Sequence, residues 1–544
     1  MAMQPRPAAT LILLRPGASG IETLMLQRTQ SAVFLGGAYV FPGGSLDEAD
    51  KDFSRVRGLT DAQASERLGV PANGLTYFVA AVRECFEEAG VLLACDAEGR
   101  MVSAARALEF MQHRNAPFQE FLRKEGLFIP ADRLAYYGHW ITAPGRARRF
   151  DTRFFVAVAP DGQEGAHDAT ETVHSQWIRP QDALARAERG EIELVFATQT
   201  TLRDLGRFSD PRAAWAHANQ LEVLANRACW AQGREGAKLF RRADPAYFEI
   251  HWCDPEETGE STYDLVPGEA KRLDRFVTRL IAPNPGMMTG PGTNTYLVGS
   301  DDELAVIDPG PAIDSHVEKI LSFPNIRFIL CTHTHLDHSP AAAAIKAATG
   351  AQVLGRPAPR GQDATFAPDR VLEHGERVRV GGVSLQALHT PGHASNHLCY
   401  LLEETRMLFT GDHVMQGSTV VINPPDGNMR AYLASLEGLR ALDVAILAPG
   451  HGYLIGDPQR EFRRLVQHRL ARERKVVGAL ARAGSASVAE LIPAVYDDVP
   501  SRVHGPAARS LTAHLEKLIF EGAVRVDGER YTLVQSPAYP GGAP

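Results

Sequence analysis

The chain has 544 residues, 44% of them apolar and 22% charged, which is too much for one core and ample for several, so two to four domains are expected. A formal net charge of −8 argues against a non-specific polyanion binder, while leaving room for a local basic face. Six scattered cysteines without a CxxC pair argue against a disulfide framework or a cysteine-held zinc and point to reduced thiols in the cytoplasm.

The N-terminal MAMQPRPAATLILLRPG carries only the short apolar run LILL, and no stretch reaches the ~18–20 apolar residues that span a bilayer, so a cytoplasmic protein with no membrane partner is expected. ATLILLRPG, IETLMLQR and AYVFPGG alternate short apolar runs with turn residues and read as strands. LTYFVAAVRECFEEAGVLL, residues 76–94, has helical spacing and a stop near Gly90. RFDTRFFVAV is a further strand, and helical runs continue to about 230. Residues 231–272, rich in Pro, Gly and acids, are expected as an exposed connector or irregular docking segment. From 273 to 460, strand-like TNTYLVG, ELAVIDPG and IRFILCTHTH alternate with helical SHVEKILS and SPAAAAIKAATG, the pattern of a layered αβ domain. Residues 461–537 read as three helices and a hairpin turning at Asp527-Gly528, which describes a winged helix.

VRECFEEAGV, residues 82–91, places Glu84, Glu87 and Glu88 at i, i+3 and i+4, so three carboxylates crowd one helix face. Such charges repel unless a cation neutralises them, and oxygen ligands in that number suit magnesium or manganese, ions that accompany phosphates. FPGG (Phe41–Gly44) lies upstream and Arg83 precedes the acids. Together these resemble a Nudix hydrolase. Gly44 and Asp50 fit the first part of the family's box, with aspartate in place of glutamate, and Arg83 to Val91 fit the second. Between Asp50 and Arg83 lie 32 residues where the box has seven; that insertion, with RRFDTRFF at 148–155, resembles the coenzyme A diphosphatase branch. The resemblance covers about residues 8–200, within a first domain expected over 1–230, and implies an α/β/α sandwich with an insertion and a helical extension. It also implies Mg or Mn on Glu84, Glu87 and Glu88, with Arg83, Glu87 and Glu88 catalytic and Asp50 returning to pair with Arg83. Arg28, Arg148 and Arg149 would contact the phosphates of a nucleoside diphosphate or coenzyme A derivative, and Glu171 is a candidate extra acid.

CTHTHLDHSP raises a second chemistry. His333 and His335, two residues apart after the apolar strand RFIL, would leave one strand face and grip an ion, with Asp337 and His338 close behind for a second. His393 in HTPGHASNH, Asp412 in LFTGDHV and His451 in ILAPGHG each follow a strand. This order, with Asp308 in AVIDPG, resembles the metallo-β-lactamase fold superfamily. The resemblance implies an αββα sandwich with two zinc ions, or manganese or iron. His333, His335 and His393 would hold one, Asp337, His338 and His451 the other, and Asp412 would bridge them, with Asp337 also catalytic. His389, His397 and His413 are expected to stand behind the ligands or in the core.

The flanks IAPNPGMMTGPGTNTYLVG and HRLARERKVVGAL resemble the β-lactamase-like endoribonucleases, which implies cleavage of single-stranded RNA. Thioester hydrolysis, beside a Nudix domain acting on coenzyme A derivatives, is the alternative. A third reading makes the Nudix unit a nucleotide sensor and the winged helix a binding or dimerisation module, a homodimer being left open. Arg460, Arg463, Arg464, His468, Arg469, Arg472 and Arg474 give the helix after 460 a basic character that is either a phosphate-binding face or solvated surface.

Overall fold

The computed structural model of the protein describes residues 4–30, 36–168, 170–537 and 539. The chain divides into two compact units, 1–230 and 231–544.

In the first unit the strand Arg6–Gly17 is buried on both faces, which explains the unbroken run LILL. Leu11 and Leu13 pack with Phe78, Val82 and Phe86 of the helix Leu75–Ala89. Ile12 and Leu14 share the opposite core with Leu202, Leu205 and Ala214 of the helices Phe196–Leu205 and Pro211–Ala218. Helices on both faces of a mixed sheet make the α/β/α sandwich. Its centre pairs Arg6–Gly17 parallel with Phe150–Val158 and antiparallel with Gly20–Arg28. The helix Leu75–Ala89 ends where Gly90 takes a left-handed φ of 65° and its N–H bonds to the Phe86 carbonyl.

In the second unit a seven-stranded sheet and a five-stranded sheet face each other. Tyr296, Val298, Ala305 and Ile307 of one meet Leu385, Tyr400, Leu402 and Phe409 of the other. The alternate residues Leu297, Leu304 and Val306 point outward to Ile320 and Ile345 of the helices Asp314–Leu321 and Ala342–Thr349. Leu401 and Leu408 likewise meet Tyr432 and Leu436 of the helix Met429–Arg440 and Phe462 and Leu465 of the helix Pro458–Ala483. This is an αββα sandwich.

The helix Pro458–Ala483 runs on for 26 residues, and its Val476, Ala479 and Leu480 enter a third core. That core belongs to the winged helix, with helices Val488–Val495 and His504–Phe520 and a three-stranded sheet.

Residues 231–272 are not a loose connector. They belong to the second unit and carry the helix Tyr247–Cys253, whose Glu249 is fully buried. Glu249 Oε1 and Oε2 accept from Arg279 Nη2 at 2.8 Å and Nη1 at 2.6 Å, and Lys271 Nζ donates to Oε1 at 2.7 Å. Burial works against this carboxylate's charge, but Arg279 and Lys271 outweigh it and hold it down at about 2.

Candidate metal centres

The strands Glu303–Ile307, Ile326–Leu330, Val383–His389, Met407–Gly411 and Ile446–Pro449 end at one rim of the sandwich, and each is followed by a site residue. The Ile326–Leu330 strand stops before the histidines, so His333 and His335 stand on an irregular loop and not on a strand face as the i, i+2 spacing predicts. The loop still converges them. His333 Nε2 lies 2.9 Å from His335 Nδ1, which lies 3.1 Å from His393 Nε2. Three ring nitrogens at these separations form one trio, and Asp337, His338 and His451 form a second.

Asp412 stands between them. Its Oδ1 is 3.5 Å from His338 Nε2 and 3.4 Å from His451 Nε2, and its Oδ2 is 3.8 Å from His393 Nε2. Asp337 Oδ2 is 3.6 Å from His338 Nε2 and 3.4 Å from His451 Nε2. Gly450 leaves the necessary room, since a Cβ there would lie 2.7 Å from Asp412 Oδ1.

The outer ring nitrogens are tied back. His338 Nδ1 meets Asp308 Oδ2 at 3.0 Å, His393 Nδ1 meets the Val421 carbonyl at 2.9 Å, and His451 Nδ1 meets the Gly292 carbonyl at 3.2 Å. Each acceptor takes the N–H of Nδ1, so Nε2 is the atom that faces the centre and would bind an ion. Thr332 Oγ1 donates to Asp308 Oδ2 at 2.8 Å and so accepts from His333 Nδ1 at 3.0 Å. Asp308 also takes the Thr332 N–H at 2.7 Å, and it does so from a left-handed φ of 51° that costs an aspartate backbone strain.

These residues fit divalent ions. His338 Nε2, His451 Nε2 and Asp412 Oδ1 are buried and make no hydrogen bond among the described residues. Burial keeps His333 well below its ordinary value and His335 at about 4, so both imidazoles are neutral donors. Burial also opposes the charge of His338, but Asp337, Asp412 and Asp308 outweigh it and hold that imidazole well above its ordinary value.

His397 and His413 are fully buried behind the trio, their rings 5.6 Å apart, and His397 stacks 5.2 Å from His333. His389 lies farther out, its Nε2 3.0 Å from the Ser395 carbonyl.

The acids of the first unit are arranged otherwise. Arg83 donates Nε and Nη2 to Asp50 Oδ1 and Oδ2 at 2.8 and 2.9 Å, and Nη1 to Glu84 and Glu87 at 2.9 and 3.0 Å. Burial opposes its charge, yet the hydrogen bonds to Asp50 and the charges of Glu84 and Glu87 keep the guanidinium firmly ionised. Glu88 Oε2 accepts the Gly43 N–H at 3.0 Å. Burial pushes Glu84 up to about 7 against the pull of Arg83, and Glu88 up to about 8 with help from Glu84. A Cβ at Gly43 would meet the Ala9 carbonyl oxygen at 2.5 Å and Thr10 Cα at 2.7 Å, so the FPGG turn needs its first glycine, while a Cβ at Gly44 would press on Glu84 Oε1 at 2.4 Å. Arg28 Nη2 lies 3.9 Å from the exposed Glu171, and both fields reach Glu88. Arg148 is exposed, while the buried Arg149 gives Nε to the Thr142 carbonyl at 2.9 Å in the neck of a hairpin.

The metallo-beta-lactamase superfamily description matches residues 288–451. "Lactamase-like protein adaB" of Aspergillus niger is 30% identical over 317 residues, covering 54% of this chain and 96% of that protein. The chain belongs to the metallo-beta-lactamase superfamily. Its first unit carries a NUDT19 Nudix domain, matched at 53–200, so Phe41–Asp50 lie just upstream of the match. A beta-lactamase associated winged helix domain is matched at 487–531. The "Atrochrysone carboxyl ACP thioesterase" of Aspergillus chevalieri is 32% identical over 311 residues, covering 54% of this chain and 94% of that protein. A metallo-beta-lactamase family protein of Thermus thermophilus superposes with a TM-score of 0.42 at 23% identity, covering 48% of this chain and all of that one (100%). Domains of both hydrolase families typically bind divalent metals, in keeping, for the metallo-beta-lactamase domain, with its His/Asp clusters.

Two supports of the metallo-beta-lactamase centre carry no motif. Asn294 Nδ2 holds the Pro449 and Gly452 carbonyls at 3.0 and 2.9 Å, and Glu249 Oε2 accepts the Leu454 N–H at 3.1 Å. Both pin the turn that presents His451. A polar residue buried in an apolar strand was the available signal for Asn294. The basic helix is internal at two of its positions: Arg469 is 3% exposed, and Arg472, 6% exposed, pairs with Asp498 at 2.6 Å, while Arg460, Arg464 and Arg474 are exposed. Among the described residues no helix is long and apolar enough to cross a membrane.

Proposed function

We propose that the metallo-beta-lactamase centre is a dinuclear thioesterase that releases acyl groups from pantetheine-type thioesters such as acyl-coenzyme A. The observation that carries this reading is the apolar rim of the donor set. Leu336, between His335 and Asp337, is 71% exposed, and Met287 and Met288, at 80% and 55%, tip the turn whose stem carbonyl at Gly292 holds His451. Exposed thioether and leucine side chains suit an acyl chain and offer little to a phosphate backbone. The thioesterase name of the Aspergillus chevalieri relative supports the same chemistry. Cleavage of single-stranded RNA would have to draw on the exposed Arg460, Arg464 and Arg474, since Arg469 and Arg472 are spent on internal partners.

His333, His335 and His393 would hold one ion, Asp337, His338 and His451 the other, and Asp412 both. Such a pair, when bound, polarises the carbonyl and lowers the pKa of an attacking water. Asp337, half-buried where the other acids are enclosed, takes the proton that the water gives up. The C–S bond breaks and the leaving thiolate is protonated from solvent. His397 and His413 wall the centre from behind and keep the rings in place.

We further propose that the Nudix unit hydrolyses the diphosphate of a nucleoside diphosphate or coenzyme A derivative. Glu84, Glu87 and Glu88 would hold Mg²⁺ and Arg28 a phosphate, and the presence of all three acids supports a hydrolase more than a sensor.

The test is to incubate zinc- or manganese-loaded protein with acyl-coenzyme A and with single-stranded RNA, wild type beside Asp412→Ala. Thiol release that disappears in the variant is expected. RNA cleavage that depends on Asp412, with no thiol release, overturns the thioesterase reading.

A further inference from the structure

His393 is oriented by a single carbonyl, that of Val421, at 2.9 Å. This carbonyl belongs to an irregular strap, residues 420–422, and not to a loop that directly follows a strand of either sheet. Val420 and Ile422 are buried, so the strap has a fixed seat. Its polar groups are held from elsewhere. The Val420 carbonyl accepts from Arg469 Nη2 at 2.5 Å, and the Ile422 N–H donates to Ser510 Oγ at 3.2 Å. Arg469 stands on the helix Pro458–Ala483, and Ser510 on the helix His504–Phe520 of the winged helix.

Both anchors are costly placements for polar groups, at 3% and 5% exposure. Arg469 also lies 5.2 Å over the Tyr432 ring, whose hydroxyl donates to the His413 carbonyl at 3.0 Å. The residue before His413 is Asp412. Gly392, the residue before His393, lies so close to Tyr432 that a Cβ would meet the Tyr432 Cα at 2.4 Å. His393 of one trio and the shared Asp412 therefore touch a lattice held by Arg469, on the helix that leads into the winged helix, and by Ser510 within it. Nothing of the kind reaches His338, whose support is Asp308, or His451, whose supports are Gly292, Asn294 and Glu249.

We propose that Arg469 and Ser510 are positioning residues for His393, so that the winged-helix module sets the affinity of the three-histidine half of the centre. The coupling is reciprocal: an ion bound by His333, His335 and His393 stiffens the strap, and with it the helix His504–Phe520. Rotation of that helix by a bound partner would then register first as a change in one ion of the pair. The inference rests on the dinuclear reading of the site.

The test is stepwise loading of metal-free protein with Co²⁺ and Zn²⁺, following the cobalt d–d spectrum and the two dissociation constants by titration, for wild type, Ser510→Ala and Ser510→Thr. Ser510→Ala is expected to weaken one ion about tenfold and to shift its cobalt spectrum, while the other ion holds, and the threonine hydroxyl is expected to restore both. Hydrogen exchange in 504–520 of wild type should slow when the first ion binds. Unchanged affinities and spectra in Ser510→Ala overturn the inference, as does equal weakening of both ions, which marks general loosening. Wild type that binds no ions fails the dinuclear reading itself, a result distinct from either. Arg469→Met, which keeps the buried stem and removes the donor, provides the second variant and should act in the same direction.

Discussion

The two candidate centres solve the same problem, holding cations with side chains, in opposite ways. The metallo-beta-lactamase centre gathers its donors from loops after separate strands, with His338, His393 and His451 tied back through Nδ1 and the Nε2 atoms of His338 and His451 without a hydrogen bond among the described residues. The Nudix acids sit on one helix and are kept busy by Arg83, which spans Asp50, Glu84 and Glu87. The first is preorganised by topology and waits with orphaned atoms. The second carries its own counter-charge and must give part of it up to an incoming ion. Geometry built by a whole sandwich tolerates no missing piece; geometry built by one turn of helix depends on a single guanidinium.

Removing the shared carboxylate should show that contrast most strongly. Asp412→Ala is expected to lower metal-dependent turnover by about a thousandfold or more, with loss of both ions by elemental analysis, and to leave Nudix turnover intact. On the other side, Arg83→Leu strands Asp50, which is 1% exposed, as an uncompensated buried acid. That should cost the first unit about 3–5 kcal/mol in urea unfolding.

Glu249→Gln should cost the second unit a similar amount, about 3–5 kcal/mol. This acid also supplies a pH test. Its folded-state value is lowered from 4.5 to about 2, so its contribution is complete above the unfolded value and is lost as pH falls from about 4.5 towards 2. Wild type should therefore lose more stability across that window than Glu249→Gln, as read by denaturant midpoints at each pH. Asp308→Asn, which spoils one acceptor behind His338, should weaken metal binding about 10–100-fold without unfolding the sandwich. The smallest effect, about 1–3 kcal/mol, is expected for Gly44→Ala, whose methyl must displace Glu84. Retained Nudix-unit stability in that variant would mean that the Glu84 carboxylate swings aside without cost.

Much of this was legible in the sequence because strand ends and ligand residues coincide there. His393, Asp412 and His451 each follow an apolar run and a glycine; the two sandwich folds come through the resemblance that such motifs carry, and the winged helix through three helical runs and a hairpin. What stayed hidden depends on partners distant in the chain. Glu249 lies 30 residues from Arg279 in a stretch rich in breakers, so its composition resembles a linker while its side chain is core. Arg469 and Arg472 read as a basic face because helical spacing shows which residues share a side, and not what that side meets. Asp308 was visible as a motif residue, but its left-handed backbone and its three-way hold on Thr332 and His338 are properties of the folded loop.

Glu249 bears on where the chain can be divided. A fragment starting at residue 273 would retain every histidine and aspartate of the metallo-beta-lactamase centre. It would also leave Arg279 in the interior with no acid to answer it, and the turn after His451 without its seat on Leu454. Dissection by motif would keep the ligands and discard their foundation; the dividing line that respects the chemistry runs at residue 231.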